Sequence, residues 1–346
     1  MAAPDAVALP RRDVSDIVVI HEHPEWQKPL FAALERRGLS YRAFNVARAS
    51  FGNDDDAEAR LYFNQASPSA YIRGNTRAVP LALAYLRSLE LRGARVLNGA
   101  QVFALELSKS AQATLLRTLA IDTPHSITFN DVEALRARQR EIRWPALLKP
   151  DQGGSGARIQ VVDSIDDVEA LFAKQPEIWQ PDNLFLLQEF LPHDPEQGIV
   201  RLEFLGGELL YAMRVKTHGR FNLCPSPVCN PEDGEAGHCE VPAAAAPPVE
   251  FFPFPDVPRE AVATAARIVR AARLDVGGIE YLIDDRDGKH HFYDVNALSN
   301  FVADPVNVIG FDPWAKLVDY LVSRSAPARR TAERNKERTT FQASLP

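Results

Sequence analysis

After a stretch at residues 1–13 rich in Ala, Pro and Arg, the chain presents an apolar run, DIVVIH, at residues 16–21. Such a run, without alternation, suits a strand covered on both faces of a parallel sheet. Residues 24–37 then bring Trp26, Leu30 and Leu34 to one helical face and stop at Gly38, which predicts a helix. Residues 40–46 read as a second strand. Strand, helix, strand in that order predicts a βαβ opening and a parallel sheet. A further helix is expected over 78–91 and a strand over 95–98, ending in Asn-Gly. The first 13 residues read as a loose arm.

A second unit starts near Ser108, with a helix over 109–119 and a turn into a strand over 121–128. WPALLK, at 144–149, reads as a strand whose hairpin partner is 159–162, across a glycine-rich segment. A helix over 168–174 and a strand over 184–190 follow. From about Pro192, strands over 199–204 and 208–215 are joined by Gly206-Gly207 as in a hairpin. Residues 223–255, rich in Pro, Ala and Glu, read as a long loop. A helix over 259–272 and strands over 278–283 and 290–295 complete the unit, and the polar, basic residues 323–346 read as a disordered tail. No internal repeat is visible.

Composition narrows the classes. With 46% apolar and 25% charged residues in a 346-residue chain, a sizeable core and two or three compact units are expected. Lys and Arg total 39 against 46 Asp and Glu, so the net charge is −7, which argues against a nucleic-acid partner. Three Cys make no disulfide framework, which suits a reducing compartment. No segment resembles a signal peptide and no apolar run approaches the roughly 18 residues of a membrane span. A cytoplasmic protein without a membrane partner is the expectation.

Three segments carry candidate chemistry. In LKPDQGGSGAR, residues 148–158, a strand ends at Lys149 and a glycine-rich loop follows. Glycines let backbone N–H groups approach phosphate oxygens, and a lysine adds a point charge. The competing reading is a plain hairpin turn; neither a Walker loop nor a GxGxxG opening is present. In residues 278–300, GIEYLIDDRDGKHHFYDVNALSN, Glu280 sits on one strand and Asp294 and Asn296, two apart, on one face of the next. Such oxygen ligands suit Mg²⁺. Tyr293 and Val295 interleave with them as apolar positions, so the polar face needs partners. In LLQEFL, residues 186–191, an apolar strand breaks at Gln-Glu in a form that could hold adenine through main-chain groups.

Together and in order, these segments resemble the ATP-grasp superfamily, and within it the α-L-glutamate ligases and glutathione synthetase. The resemblance covers roughly residues 14–322. It implies an α/β (α+β) fold with a pre-ATP-grasp parallel-sheet domain at 14–103, a small central lid at 104–187 and a larger antiparallel-sheet domain at 188–324, before the tail at 325–346. By resemblance, Lys109 and Lys149 match the two lysines on the ATP phosphates. Gly153, Gly154, Ser155 and Gly156 match the loop that closes over them. Gln188, Glu189, Phe190 and Leu191 match the adenine hinge, with Glu189 as the side-chain contact to the base. Arg201 and Arg214 match basic residues near the γ-phosphate and acyl phosphate, and Asn222 matches the Asn of an RSNLH-like stretch. Glu280, Asp294 and Asn296 match the ligands of one or two Mg²⁺, with Mn²⁺ as the substitute metal.

The implied activity is an ATP-dependent carboxylate–amine ligase acting through an acyl phosphate, with an amino acid or small peptide among its small-molecule carboxylate and amine partners; homo-oligomers are common in similar enzymes. The alternatives are an ATP-grasp small-molecule kinase and a non-catalytic nucleotide-binding regulator. The pattern departs from the glutamate ligases in places. Ile199 stands where they carry an Asp, which leaves Asp194 or Glu196 for the ribose. Cys224 stands where they carry a His, and ALSNFVAD replaces a Gly-containing turn after Asn296.

Several residues carry a plainer reading beside a functional one. His21 and His23, at the end of the first strand, suit substrate contact better than a metal. Cys224, Cys229, His238 and Cys239 read as free loop groups rather than a zinc site. Arg73 and Asn98 either reach the cleft or serve as surface and capping groups.

Overall fold

In a computed structural model, residues 15–55, 59–154, 156, 158–218 and 249–326 are described. The first sheet holds β1 (Ser15–His21), β2 (Tyr41–Asn45), β3 (Ala59–Gln65) and β4 (Val96–Leu97) in the order β2-β1-β3-β4, all parallel. β1 is central, which is why Ile17–Ile20 need no polar face: all four side chains are fully buried. The helices α1 (Pro24–Arg36) and α2 (Ala78–Leu91) cover the sheet, one against each of two apolar clusters. β3 has no counterpart in the sequence reading. Its apolar centre, Leu61–Phe63, is short and flanked by polar residues, yet it pairs along the whole of β1.

Two short helices, α3 (Ala100–Glu106) and α4 (Lys109–Thr118), lead into the central sheet. That sheet comprises β5 (Ser126–Phe129), β6 (Ala146–Pro150), β7 (Gln160–Val162) and β8 (Phe185–Glu189), ordered β5-β8-β6-β7 and antiparallel. The expected hairpin across the glycine-rich segment is the β6–β7 pair. α5 (Val132–Arg136) and α6 (Ile165–Lys174) cover it around Phe129, Phe172 and Phe185.

The third sheet is antiparallel, ordered β11-β10-β9-β12-β13, from β9 (Ile199–Leu205), β10 (Glu208–Lys216), β11 (Glu250–Pro253), β12 (Val276–Ile283) and β13 (His290–Asn296). β11 corrects part of the loop expected over 223–255: it pairs with β10. Residues 223–248, with Cys224, Cys229, His238 and Cys239, lie outside the described residues, as do the arm at 1–13 and residues 327–346. One face of the sheet presents Val200, Leu202, Phe204, Ala212 and Ile279 to α7 (Arg259–Ala272), through Ala265, Ile268 and Val269. The other face carries the polar residues described below.

The chain then forms α8 (Pro305–Ile309) and α9 (Pro313–Ser325), which were not foreseen. Asp312 caps α9 by accepting the N–H of Trp314 at 2.9 Å. Trp314, Leu317, Val318 and Leu321 then pack with Ile17, Leu30 and Leu34, so the last helix returns to the first sheet. The architecture is the expected one: a parallel-sheet unit, a central antiparallel sheet and a larger antiparallel sheet. Among the described residues, no helix is long and apolar enough to cross a membrane.

Candidate active site

A cavity of about 210 Å³ opens where the three sheets meet. Lys109, Lys149, Gly153, Gly154, Gly156, Gln188, Glu189, Phe190, Leu191, Arg201, Glu280, Asp294 and Asn296 all line it. Residues spread over more than half the sequence are thus brought together. Ser155 and Asn222 lie outside the described residues.

Asp151, directly after β6, organises the first wall. Its Oδ2 accepts the Ser108 hydroxyl at 2.8 Å and its Oδ1 accepts the Ser110 N–H at 2.7 Å. The Asp151 carbonyl accepts the N–H of Lys109 at 3.1 Å and of Gly153 at 2.9 Å. One carboxylate and one carbonyl therefore join the start of α4 to the glycine loop. The Lys109 ammonium reaches the Asp294 carboxylate. Lys149 is buried and donates to Gln188 Oε1 at 2.8 Å; burial, assisted by the charge of Lys109, pulls its pKa down to about 8.

The glycine loop lies against the first unit. Gln152 donates from Nε2 to the Pro68 carbonyl at 3.2 Å. A Cβ on Gly154 would stand 2.9 Å from Ser69 Cβ, so the close approach requires glycine there. Ser67, Pro68, Ser69 and Trp26 also line the cavity and were missed in the sequence. Their only local signal is Ser67 ahead of Pro68, the cap of a short 3-10 turn.

The hinge residues Gln188–Leu191 form another wall, in which the Glu189 carboxylate is held by two arginines. It is bound by Arg143 Nη1 at 2.9 Å and Arg286 Nη1 at 2.7 Å, with the side chain 4% exposed. A carboxylate buried this far needs such partners. Burial raises its pKa, but Arg286 and Arg143 prevail and hold it below the ordinary value. Neither Asp194 nor Glu196 lines the cavity, where His193 and Ile199 do. Asp194 accepts the Glu196 N–H at 2.9 Å, and Glu196 pairs with Lys216 at 2.6 Å.

The floor is the polar face of the third sheet. Arg201 pairs in register with Glu280, and Glu280 with Asp294, so the three side chains share a face. Arg201 donates from Nη1 to Glu280 Oε1 at 2.8 Å and from Nε to Glu203 Oε1 at 2.6 Å. Gly278 makes room for the guanidinium, since a Cβ there would stand 2.8 Å from Arg201 Nη2. Asn296 Nδ2 lies 3.3 Å from both Glu280 Oε1 and Asp294 Oδ2. Burial and then the Asp294 charge push the Glu280 pKa up. Burial pushes Asp294 in the same direction, but Lys109, Lys149 and Arg201 together outweigh it and hold Asp294 below its ordinary value.

Two expectations on this sheet are corrected. Arg214 pairs in register with Val200, one residue from Arg201, and so points to the α7 face, where its guanidinium lies 4.1 Å from the Phe254 ring centroid. The period of two along a strand puts the two arginines on opposite faces. Tyr293 was expected to interleave away from the polar face. A bulge between Glu280 and Tyr281 in the β12–β13 register turns it inward, and its hydroxyl donates to Glu280 Oε2 at 3.0 Å. Glu106, also missed, lines the cavity, accepts the Leu298 N–H at 3.0 Å and is lifted to about 7 by burial. An acid within the apolar run VFALEL was its signal.

In the first unit, His21 is buried against Phe31, and burial lowers its pKa. His23 stacks on Trp26 at 4.8 Å. Neither histidine lines the cavity. Arg73 grips Glu22 through two bonds, of 3.0 and 2.7 Å, and donates to Ser69 Oγ at 3.1 Å, behind the cavity wall. Asn98 does not reach the cleft. It is fully buried and donates from Nδ2 to the carbonyls of Val276 and Ala297 at 2.7 and 2.6 Å.

Glu280, Asp294 and Asn296 bring two carboxylates and an amide into one small region, and a set of side chains that can offer hard oxygen donors fits a magnesium ion. The lysines, Arg201 and the glycine loop facing them fit a polyanion such as a nucleotide triphosphate.

No family model matches the chain. It is 25% identical over 166 residues to the formate-dependent phosphoribosylglycinamide formyltransferase of Wolinella succinogenes, a match that covers 48% of this chain and 41% of that protein. The matched stretch thus spans less than half of that relative's length. Among solved structures, the ATP-grasp ligase PsnB complexed with a phosphomimetic variant of its minimal precursor, Mg and ADP superposes with a TM-score of 0.62 at 19% identity, covering 91% of this chain and 100% of that one. D-alanine–D-alanine ligase from Bacillus anthracis, complexed with ATP, superposes with a TM-score of 0.62 at 13% identity, covering 91% and 97%.

Proposed function

From the ATP-grasp fold that this chain has, we propose that it is an ATP-dependent carboxylate–amine ligase that forms an amide through an acyl phosphate. The observation that carries this reading is the convergence of Lys109, Lys149, Arg201 and the glycine loop on the same cavity as Glu280, Asp294 and Asn296. The likeness to solved ligases that hold ATP, or Mg and ADP, supports it.

A carboxylate is a poor electrophile until it gains a leaving group. Transfer of the γ-phosphoryl group to it needs charge neutralisation and alignment more than covalent help. Lys109, Lys149 and Arg201 supply positive charge to the phosphates. Glu280, Asp294 and Asn296 would hold magnesium, which when bound neutralises charge on the phosphate oxygens. Gly153, Gly154 and Gly156, which line the cavity, would cover the phosphates and exclude water, which protects the acyl phosphate until an amine attacks it. Asn222 keeps the substrate-side role implied by resemblance. The carboxylate and amine are small molecules or a peptide.

The test is thermal unfolding with ATP, with and without Mg²⁺, followed by ADP release across pooled carboxylates and amines with product analysis. A ligand at 100 times its Kd adds about 2.7 kcal/mol, a shift of several degrees. An ATP shift that grows with Mg²⁺, with an amide among the products, supports the ligase. A stable phosphorylated product without an amide replaces it with a kinase, and nucleotide binding without turnover replaces it with a regulator.

A further inference from the structure

Among the described residues β13 is an edge strand, so no described strand lies beyond it to receive the backbone groups it turns outward. Val295, between Asp294 and Asn296, turns both its N–H and its C=O that way. A side chain takes the place of the missing strand. Gln112 Oε1 accepts the Val295 N–H at 3.1 Å, and Gln112 Nε2 donates to the Val295 carbonyl at 3.0 Å. Gln112 is fully buried, and Nε2 also lies 3.1 Å from the Leu105 carbonyl and 3.3 Å from that of Glu106.

We propose that Gln112 is a positioning residue for the metal-binding edge: by pairing with both backbone groups of Val295 it fixes the direction in which Asp294 and Asn296 present their oxygens. The same helix holds this segment a second time, because Lys109, one turn earlier, reaches the Asp294 carboxylate. α4 thus grips one short piece of β13 by its backbone and by a side chain. Its own start is tied through Asp151 to the glycine loop, so one helix sets the spacing between the phosphate side and the metal side of the cavity. Partners that orient a ligand from behind typically govern 10–100-fold in metal affinity without touching the ion.

The inference rests on the nucleotide and magnesium reading above. It is tested on the full chain by titrating Mg²⁺ against the thermal shift produced by a non-hydrolysable ATP analogue. In Gln112→Met, which keeps length and loses both hydrogen bonds to Val295 together with those to the Leu105 and Glu106 carbonyls, the Mg²⁺ midpoint should rise about tenfold or more, with the shift by the analogue alone unchanged. Leu116→Ala, one turn further along α4 in the apolar core, is the control for a merely structural effect. It should lower the unliganded Tm and keep the wild-type midpoint. If Gln112→Met does not fold, Gln112→Asn, whose amide is one methylene short of Val295, carries the same measurement. A wild-type midpoint in the folded Gln112 variant, or an equal rise in Leu116→Ala, overturns the inference alone. No Mg²⁺-dependent shift in the wild-type protein overturns it together with the functional reading.

Discussion

Arg201 and Arg214 stand on neighbouring antiparallel strands, one register step apart, and face opposite sides of the sheet. Arg201 enters the cavity between Glu203 and Glu280, whereas Arg214 lies over Phe254 against α7. Their substitutions should therefore separate. Arg201→Lys retains a charge for the two buried carboxylates but not the forked geometry, and should cut turnover by roughly 10²–10³ while the protein stays folded. Arg214→Met should keep turnover within about twofold and change stability by no more than ~1–2 kcal/mol, the scale of one cation–π contact. Steady-state kinetics and urea unfolding of both variants check this. Equal losses of turnover would remove the facing argument.

Asn98 joins the first sheet to the third. Besides its two amide donations, its Oδ1 accepts the N–H groups of Asp275 and Val276 at 3.0 and 3.3 Å, and its φ of 48° is one that Asn tolerates better than most residues. Asn98→Ala leaves buried backbone groups unpaired and keeps the unfavourable φ. It should cost ~3 kcal/mol or more. Nucleotide affinity of the folded fraction should stay at the wild-type value, measured by calorimetry at low temperature. A selective loss of affinity would return Asn98 to the cleft.

What the sequence made legible was local and periodic. The β6–β7 hairpin, α7 and the β9–β10 hairpin follow from apolar spacing and glycine pairs, and the described residues drawn from the resemblance, Arg214 excepted, meet at one cavity because order along the chain tracks the order of the sheets. Facing was not legible where it depends on pairing register or a bulge. Arg214 needs Val200 as its cross-strand partner to be placed, and Tyr293 needs the irregularity at Glu280. β3 and α9 were hidden for a related reason: their apolar residues are satisfied by β1 and α1, which are far away in the chain. The partners of the Glu189 carboxylate, Arg143 and Arg286, were not legible because they lie in loops far apart in the chain.

Gly154 meets Ser69 across the junction between the glycine loop and the first unit, with room for no Cβ. Gly154→Ala should force the loop outward, at a cost of ~1–3 kcal/mol to the closed arrangement. The expected result is weaker nucleotide binding and a faster leak of ATP to phosphate, with the unliganded Tm little changed. Ser69→Gly removes the opposing Cβ and should restore part of the loss in the double variant, since the Ser69 backbone N still stands 3.1 Å from the new methyl. Additive effects in the double-mutant cycle would show that the two residues do not share this contact.

Glu106 gives the pH prediction. Burial lifts its pKa from 4.5 to about 7, although the Leu298 N–H and the Lys109 charge pull the other way. Between those values the folded protein holds a proton that the unfolded chain has released, so this group's contribution to stability falls as pH rises from 4.5 to 7 and is level above that. Glu106→Gln keeps an oxygen for the Leu298 N–H and cannot ionise. It should match the wild type near pH 4.5 and become the more stable of the two by about 3 kcal/mol above pH 7. Because the other titrating groups are shared, the difference between the two urea-unfolding series across that range isolates the single carboxyl. A difference that stays flat with pH would mean that Glu106 is already ionised when buried, and that Lys109 outweighs its desolvation.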